Sequence, residues 1–297
     1  MSFRNRVSLR DSMRGIVEEP LLQLVPKRFD YIGNVAVISI PSELAAYKEV
    51  IASKLFSMRG NTQAVLNKVS KLEGEHRIAD FEVLLGESTE TIHRENGYTY
   101  KLDVKKVFFN PRLYSERKRV ASKIKSGERI IIPFAGVGPF VLPAAGKGAR
   151  VYAIEINPEA CACLKENIRI NRLEEQITVV QEDFENLFRN ENILHTENSL
   201  SAFPNPGKRK DEGIQVPDRG FDRAIVPTPY GMDHFLEKIS KLVRKGGYIH
   251  FYTFKAESQI PGLINEYKKM GFEVELYRRA GNVAPGISRW VFDLIKK

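Results

Sequence analysis

The chain has 297 residues, 42% of them hydrophobic, with 46 Lys and Arg against 37 Asp and Glu and a formal net charge of +9. That length and apolar content suit one large or two modest domains with a real core, which excludes disorder as the default state. The positive balance points to an acidic partner, nucleic acid being the commonest, with a merely basic soluble protein as the bland alternative.

Only two cysteines occur, Cys161 and Cys163. Set one residue apart in a helical stretch, they point in different directions, so they form neither a disulfide nor a complete metal site. They read as small buried residues of a reducing compartment. Residues 1–14 are polar and basic and lack the apolar core of a signal peptide. The most apolar run, 130–145, is broken by Pro133, Pro139, Pro143 and two glycines and is too short to span a bilayer. A cytosolic protein without a membrane segment is expected.

In chain order, residues 8–24 read as an amphipathic helix closed by Pro26. Residues 35–40 form an apolar strand, and Pro41-Ser42 opens a helix to about Met58. Short strands follow at 64–69, 81–85, 90–93 and 99–104, the last two joined by Glu95-Asn96-Gly97, a hairpin signal because Asn-Gly accepts positive φ. Residues 1–108 therefore read as a small mixed-strand α+β domain.

After Asn110-Pro111 the texture changes. A basic helix is expected over 114–125, and then strands at 129–134, 150–154, 177–181, 221–226 and 248–252 alternate with helices to 145, over 158–171, 232–244 and 256–270. Such alternation implies an α/β fold with a mostly parallel sheet covered on both faces. Strands at 272–278 and 289–294, joined by a turn at 281–286, read as a closing hairpin. The polar, Pro- and Gly-containing stretch 195–220 breaks the pattern and reads as a surface insertion in a second domain spanning 109–297.

Phe134-Ala135-Gly136-Val137-Gly138-Pro139-Phe140 follows a strand and opens a helix. Glycines there let the backbone turn sharply and approach a ligand. Glu155 ends the next strand, 19 residues after Gly136, where an acid can accept from both ribose hydroxyls. Asp183, just past the third strand, is placed to meet an adenine amino group. Phe134, Gly136, Gly138, Glu155 and Asp183 together indicate an S-adenosylmethionine (SAM) site in a Rossmann-like domain. A dinucleotide site would usually show a third glycine, where this chain has Val141 or a neighbour, and it does not account for the closing hairpin.

Several ordered blocks then carry a family resemblance: Gly74-Glu75-His76-Arg77, His93-Arg94-Glu95-Asn96-Gly97, Lys101-Leu102-Asp103-Val104, and Phe109-Asn110-Pro111-Arg112-Leu113-Tyr114-Ser115-Glu116-Arg117. The glycine loop, Ala153-Ile154-Glu155-Ile156-Asn157-Pro158, Lys165-Glu166-Asn167-Ile168, Ala284-Pro285-Gly286 and Val291-Phe292-Asp293 continue it. Over about residues 20–297 the chain resembles the archaeal-type tRNA (guanine-37-N1)-methyltransferases and their relatives, the wyosine-pathway aminocarboxypropyltransferases. The resemblance implies a class I SAM-dependent methyltransferase domain behind a small tRNA-contacting domain. The glycine loop and Glu-Ile-Asn-Pro look closer to the methyltransferase pattern.

Guanine N1 carries a proton at neutral pH, so its methylation asks for a general base, and the charge pushed toward O6 asks for a cation. By resemblance, Glu116 matches the base and Arg77 the O6-facing arginine, while Asn110 and Arg117 match cofactor contacts. Arg112, Pro229 and Tyr230 are expected at the substrate. Arg112, Arg117, Lys118, Arg119, Lys123 and Lys125, six cations in 14 residues, suggest phosphate contacts that position tRNA rather than read its sequence. The target base would have to be flipped into the pocket.

Two positions depart from the family pattern. Ile132 stands where members often have an acid, and Pro227 replaces the Asn of an Asn-x-Pro motif, so no amide side chain is available there. Thr228, Tyr230 or backbone carbonyls are the substitutes at hand. Larger members carry an N-terminal module that residues 1–20 are too few to form, which suggests reading of the anticodon arm alone or a different RNA. The sequence thus leads to a SAM-dependent tRNA methyltransferase acting at N1 of guanosine 37, with tRNA as partner and a monomer as the default. Its rivals are aminocarboxypropyl transfer from SAM and a non-catalytic RNA-binding paralogue.

Overall fold

Apolar residues at alternate positions or in short runs set the strands, and a computed structural model shows how they pair. It describes residues 7–70, 79–186 and 220–297. The chain divides into two compact units, Met1–Pro111 and Arg112–Lys297, so Phe109, Asn110 and Pro111 belong with the first.

In the first unit the expected single helix over 8–24 is instead two short turns, α1 (Leu9–Ser12) and α2 (Glu19–Leu22). Gly15 at φ 75° lies between them and Pro20 starts the second, so helical hydrogen bonding cannot run through. Strands β1 (Asp30–Ile32), β2 (Val35–Ile38), β3 (Ala64–Lys68) and β4 (Phe81–Leu85) form a sheet in that order. β2 and β3 are parallel, which requires a crossover. A 3-10 turn over Ser42–Tyr47 and α3 (Lys48–Ser57) supply it, not one continuous helix. Leu9, Met13, Leu22, Ile38, Ile51, Leu55 and Val65 close the core. β5 (Glu90–Glu95) and β6 (Tyr98–Asp103) make the expected hairpin, with Asn96 and Gly97 at φ 51° and 87°.

The second unit opens with α4 (Tyr114–Ser122) and then winds a seven-stranded sheet. Its elements are β7 (Arg129–Pro133), α5 (Val141–Ala145), β8 (Arg150–Glu155), α6 (Pro158–Asn171), β9 (Ile177–Gln181), β10 (Phe221–Val226), α7 (Phe235–Leu242), β11 (Val243–Lys255), α8 (Ile260–Lys269), β12 (Phe272–Ala284) and β13 (Ile287–Lys296). The spatial order is β9-β8-β7-β10-β11-β13-β12. The first five pair in parallel, β13 lies antiparallel to β11, and β12 closes the edge antiparallel to β13. Chain order reverses between β7 and β10, which marks the ligand crevice at the carboxyl ends of these strands.

Local chemistry agrees with that winding. Asn157 caps α6, its Oδ1 accepting from the Glu159 and Ala160 amides, and Pro158 holds the first helical position. α7 buries Phe235, Leu236, Ile239 and Leu242 on one face against Phe221, Phe251 and Phe292 of the sheet. β11, β12 and β13 run longer than expected, because three adjacent strands keep pairing beyond the apolar stretches. The 195–220 insertion, apart from Gly220, lies outside the described residues.

Candidate active site

The loop after β7 sits where the sheet reverses order. Phe134 adopts φ 55°, unfavourable for an aromatic residue, and Gly136 and Gly138 have φ 54° and 95°. A Cβ on Gly138 would lie 2.6 Å from Leu164 Cδ1, so close packing of loop on α6 also demands glycine. Asn167, fully buried on α6, donates to the Val137 carbonyl at 3.1 Å and fixes the loop from behind.

Glu155 ends β8 beside this loop. Its Oε2 accepts from the Gly136 amide at 2.7 Å and its Oε1 from the Asn157 amide at 2.9 Å. A carboxylate has about four acceptor positions, so two remain for a diol. Asp183 shapes the turn after β9, Oδ1 accepting from the Glu185 amide at 2.9 Å. Next to it the Phe184 ring packs 6.0 Å from Phe134, and both rings meet Phe235. Phe134, Gly136, Gly138, Glu155 and Asp183 are thus gathered at the carboxyl edge of β7, β8 and β9.

Glu116, in the first turn of α4, is only 3% exposed. Its Oε1 accepts from Arg119 Nη2 at 2.6 Å, Arg119 Nε at 3.0 Å and the Tyr252 hydroxyl at 2.9 Å. Oε2 takes one bond, from Arg119 Nε at 3.1 Å, with Arg278 Nε 3.7 Å away. The Tyr252 ring lies 5.5 Å from Phe140 at the end of the glycine loop, which ties this carboxylate to that loop.

Arg119 presents its other edge to Asp293 on β13, Nη1 to Oδ2 at 2.6 Å and Nη2 to Oδ1 at 3.0 Å. Lys123 donates to Asp293 Oδ2 and to Glu275, each at 2.8 Å. His250, fully buried, has Nδ1 2.6 Å from Asp293 Oδ1 and Nε2 2.8 Å from Arg223 Nη1. A guanidinium only donates, so Nε2 must accept and Nδ1 carries the proton, which makes His250 a neutral donor to Asp293. Arg223 completes the chain with two bonds to Glu128 at 2.8 and 3.0 Å.

The proton affinities follow from these partners. Burial alone would raise the Asp293 pKa, but donors from His250, Arg119 and Lys123 outweigh it and hold the carboxyl well below its usual range. For His250, burial wins and the pKa falls. Burial, then the neighbouring Glu116 charge, pushes the Tyr252 phenol well above its ordinary value, so Tyr252 is a donor throughout the physiological range. Burial opposes the charge on Arg119, yet Asp293 and Glu116 keep it firmly protonated.

The other expected residues are distributed unevenly. Arg77 lies outside the described residues, as does its whole Gly74–Arg77 block. Asn110 is half-buried near the end of the first unit. The six-cation stretch is corrected: Arg117 is 2% exposed, and Arg119 and Lys123 are tied into internal ion pairs, because the helix turns that face onto the sheet. Arg112, Lys118 and Lys125 are the exposed three. Ile132 is fully buried in β7. Thr228, 3% exposed, bonds back to the Val226 carbonyl through both its amide and its hydroxyl. Pro229 is buried, and Tyr230 is 61% exposed, its ring 5.5 Å from Phe254, over which Arg289 is placed. Tyr230 is therefore the side chain this segment presents.

Sequence reasoning missed Arg119 as an internal ion, Tyr252, His250, Arg278 and the role of Asp293. Two signals were readable: Arg119 is three residues after Glu116, an ion-pair spacing on a helix, and His250 interrupts an apolar strand. No helix among the described residues is long and apolar enough to cross a membrane.

Known proteins resemble this arrangement over nearly the whole chain. Residues 91–199 match the TRM5/TYW2 methyltransferase domain and residues 9–89 the TYW2 N-terminal domain. The tRNA (guanine(37)-N(1))-methyltransferase Trm5b of Pyrococcus abyssi is 37% identical over 93% of this chain and 77% of its own length. The tRNA(Phe) (4-demethylwyosine(37)-C(7)) aminocarboxypropyltransferase of Pyrococcus horikoshii is 32% identical over 96% of this chain and 95% of its own. Among solved structures, the complex of aTrm5 with tRNALeu superposes with a TM-score of 0.80 at 28% identity, covering 98% of this chain and 78% of that one. P. horikoshii TYW2 in complex with MeSAdo gives a TM-score of 0.69 at 28% identity, covering 97% of both chains.

Proposed function

The chain belongs to the TRM5/TYW2 methyltransferase family, and from that premise we propose that it is a SAM-dependent tRNA methyltransferase acting at N1 of guanosine 37, beside the anticodon. The observation that carries this reading is the placement of Glu116 next to the glycine loop through Tyr252 and Phe140. It sets a buried carboxylate beside the loop proposed to hold the cofactor. SAM supplies an electrophilic methyl group on a sulfonium. Glu155 would hold the ribose hydroxyls and Asp183 the adenine amino group, with Phe134, Gly136, Gly138 and Arg117 completing the cofactor cradle. Glu116 takes the N1 proton of guanine, and a cation is required for the charge that develops on O6, the role that the family resemblance gives to Arg77. Arg112, Pro229 and Tyr230 hold the flipped base and its neighbours, Tyr230 by stacking.

The first unit grips the anticodon arm, and a monomer working in the cytoplasm suffices for this chemistry. One observation favours a second reading, aminocarboxypropyl transfer from the same cofactor: residues 9–89 match the TYW2 N-terminal domain. SAM labelled separately in its methyl and aminocarboxypropyl groups, incubated with unmodified tRNA and followed by nucleoside analysis, separates the two. Methyl label in 1-methylguanosine is the expected result. Aminocarboxypropyl label alone establishes the second reading, and tRNA binding without transfer of either label defeats both in favour of a non-catalytic paralogue.

A further inference from the structure

Arg119 is shared between two carboxylates. One edge of its guanidinium grips Glu116 and the other grips Asp293. If Glu116 were its only anion, protonating Glu116 would leave the partly buried Arg119 without a counter-charge. Asp293 changes that balance. It remains ionised beneath four donors, so Arg119 stays compensated when Glu116 becomes neutral. His250 contributes without adding charge, because its bond to Arg223 fixes it as a neutral donor. Tyr252 works in the opposite sense by donating to the ionised Glu116.

We propose that Asp293, supported by His250, and Tyr252 are opposed positioning residues that set the proton affinity of Glu116, with Oε2 as the atom that receives the proton. Oε2 is singled out because Oε1 already accepts three bonds while Oε2 accepts one. The inference rests on the reading of Glu116 as base. In the step it describes, the N1–H bond breaks toward Glu116 Oε2, and the N1 electron pair forms the bond to the methyl carbon. The carbon–sulfur bond breaks with its pair going to sulfur, which leaves as a neutral thioether. Glu116 ends neutral, and Arg119 remains paired to Asp293. The charged and titratable groups around Glu116 are Arg119 from α4 and Lys123 just past its end, Tyr252 and His250 from β11, Arg278 and Glu275 from β12, and Asp293 from β13.

The test is the pH dependence of single-turnover methyl transfer to tRNA at saturating SAM, for the wild type, Asp293→Asn, Tyr252→Phe and Glu116→Gln. Removing the Asp293 charge tightens the hold of Arg119 on ionised Glu116. The acid limb of the profile then moves to lower pH, and the plateau rate falls roughly tenfold or more as the base weakens. Removing the Tyr252 hydroxyl withdraws a donor from the carboxylate and moves the limb to higher pH. Opposite displacements are the expected result, since loss of structure alone has no reason to produce them. Limbs that stay put or move in the same direction overturn the proposal. If Asp293→Asn does not fold, Tyr252→Phe decides by itself: an upward limb supports the proposal, and an unmoved or lowered one overturns it. Full methyl transfer by Glu116→Gln overturns the base reading beneath it, a result distinguishable from failure of the positioning set alone.

Discussion

The glycine loop and the Glu116 corner are built by different means. At the loop, backbone amides do most of the work: Gly136 and Asn157 hold Glu155, and all three lie within 22 residues of chain. At the corner, side chains hold side chains, and the partners are far apart in sequence, 136 residues between Glu116 and Tyr252 and 174 between Arg119 and Asp293. A backbone-built site tolerates many side-chain changes but depends on a few conformations. A side-chain-built site has ordinary backbone geometry, yet removing a member takes a partner from a buried charged group.

That contrast can be broken most severely at Glu116. Glu116→Gln is expected to lower the methyl-transfer rate by about 10²–10⁴-fold, the range of a lost general base. SAM affinity, measured calorimetrically, should remain within a few-fold of wild type, because the Glu155 side of the pocket is untouched. Equal losses in affinity and rate would mean the two regions are one unit. Next in size is Asp293→Ala. It removes the shared anion of Arg119, Lys123 and His250, and breaking a buried pair of this kind costs about 3–5 kcal/mol. Denaturant unfolding measures it, and a loss under about 1 kcal/mol would show that water replaces the carboxylate easily.

The loop side is expected to yield less stability and more affinity. Gly138→Ala forces an L-residue to φ 95° and sets its methyl 2.6 Å from Leu164 Cδ1, which is fully buried and has little room to move. Strain of this type costs about 1–3 kcal/mol, and the shifted loop should weaken SAM binding measurably. Unchanged affinity with a folded variant would remove the loop from the cofactor site.

The same contrast explains what could be read from the sequence. The loop, Glu155, the Asn96-Gly97 hairpin and the strand-helix alternation were legible, because each is a local pattern dictated by backbone requirements. The corner was not. Nothing near Arg119 announces that its charge faces inward, and a run of cations looks the same whether it meets phosphate or carboxylate. Only the placement of β13 beside β11 brings Asp293 opposite His250. The break between α1 and α2 had local signals in Gly15 and Pro20, but the apolar periodicity over 8–24 overrode them. At Pro227 the sequence offers Thr228, Tyr230 and backbone carbonyls in place of the missing amide, and burial distinguishes the two side chains: Thr228 turns inward while Tyr230 faces out.

The smallest effect concerns pH and sharpens the comparison from the corner side. His250 is neutral when folded and its pKa lies below the ordinary value of 6.5, burial being the main cause. In the unfolded chain it takes a proton as pH drops through about 6.5, so the unfolded state then binds more protons than the folded one. The stability linked to His250 is therefore fully present above that pH and declines as pH falls toward the folded-state value. Its contribution has a limiting slope of about 1.4 kcal/mol per pH unit for one proton. His250→Gln offers an amide donor to Asp293 and an amide oxygen to Arg223 without titrating. Its unfolding free energy should fall less than that of the wild type between pH 7 and pH 5, whatever its absolute level. Parallel curves would mean that folding leaves its pKa unshifted, and a wild-type curve that falls less than the variant's would mean that His250 is charged in the folded protein. The Arg223 contact would then be repulsive, and Asp293, not burial, would govern the imidazole.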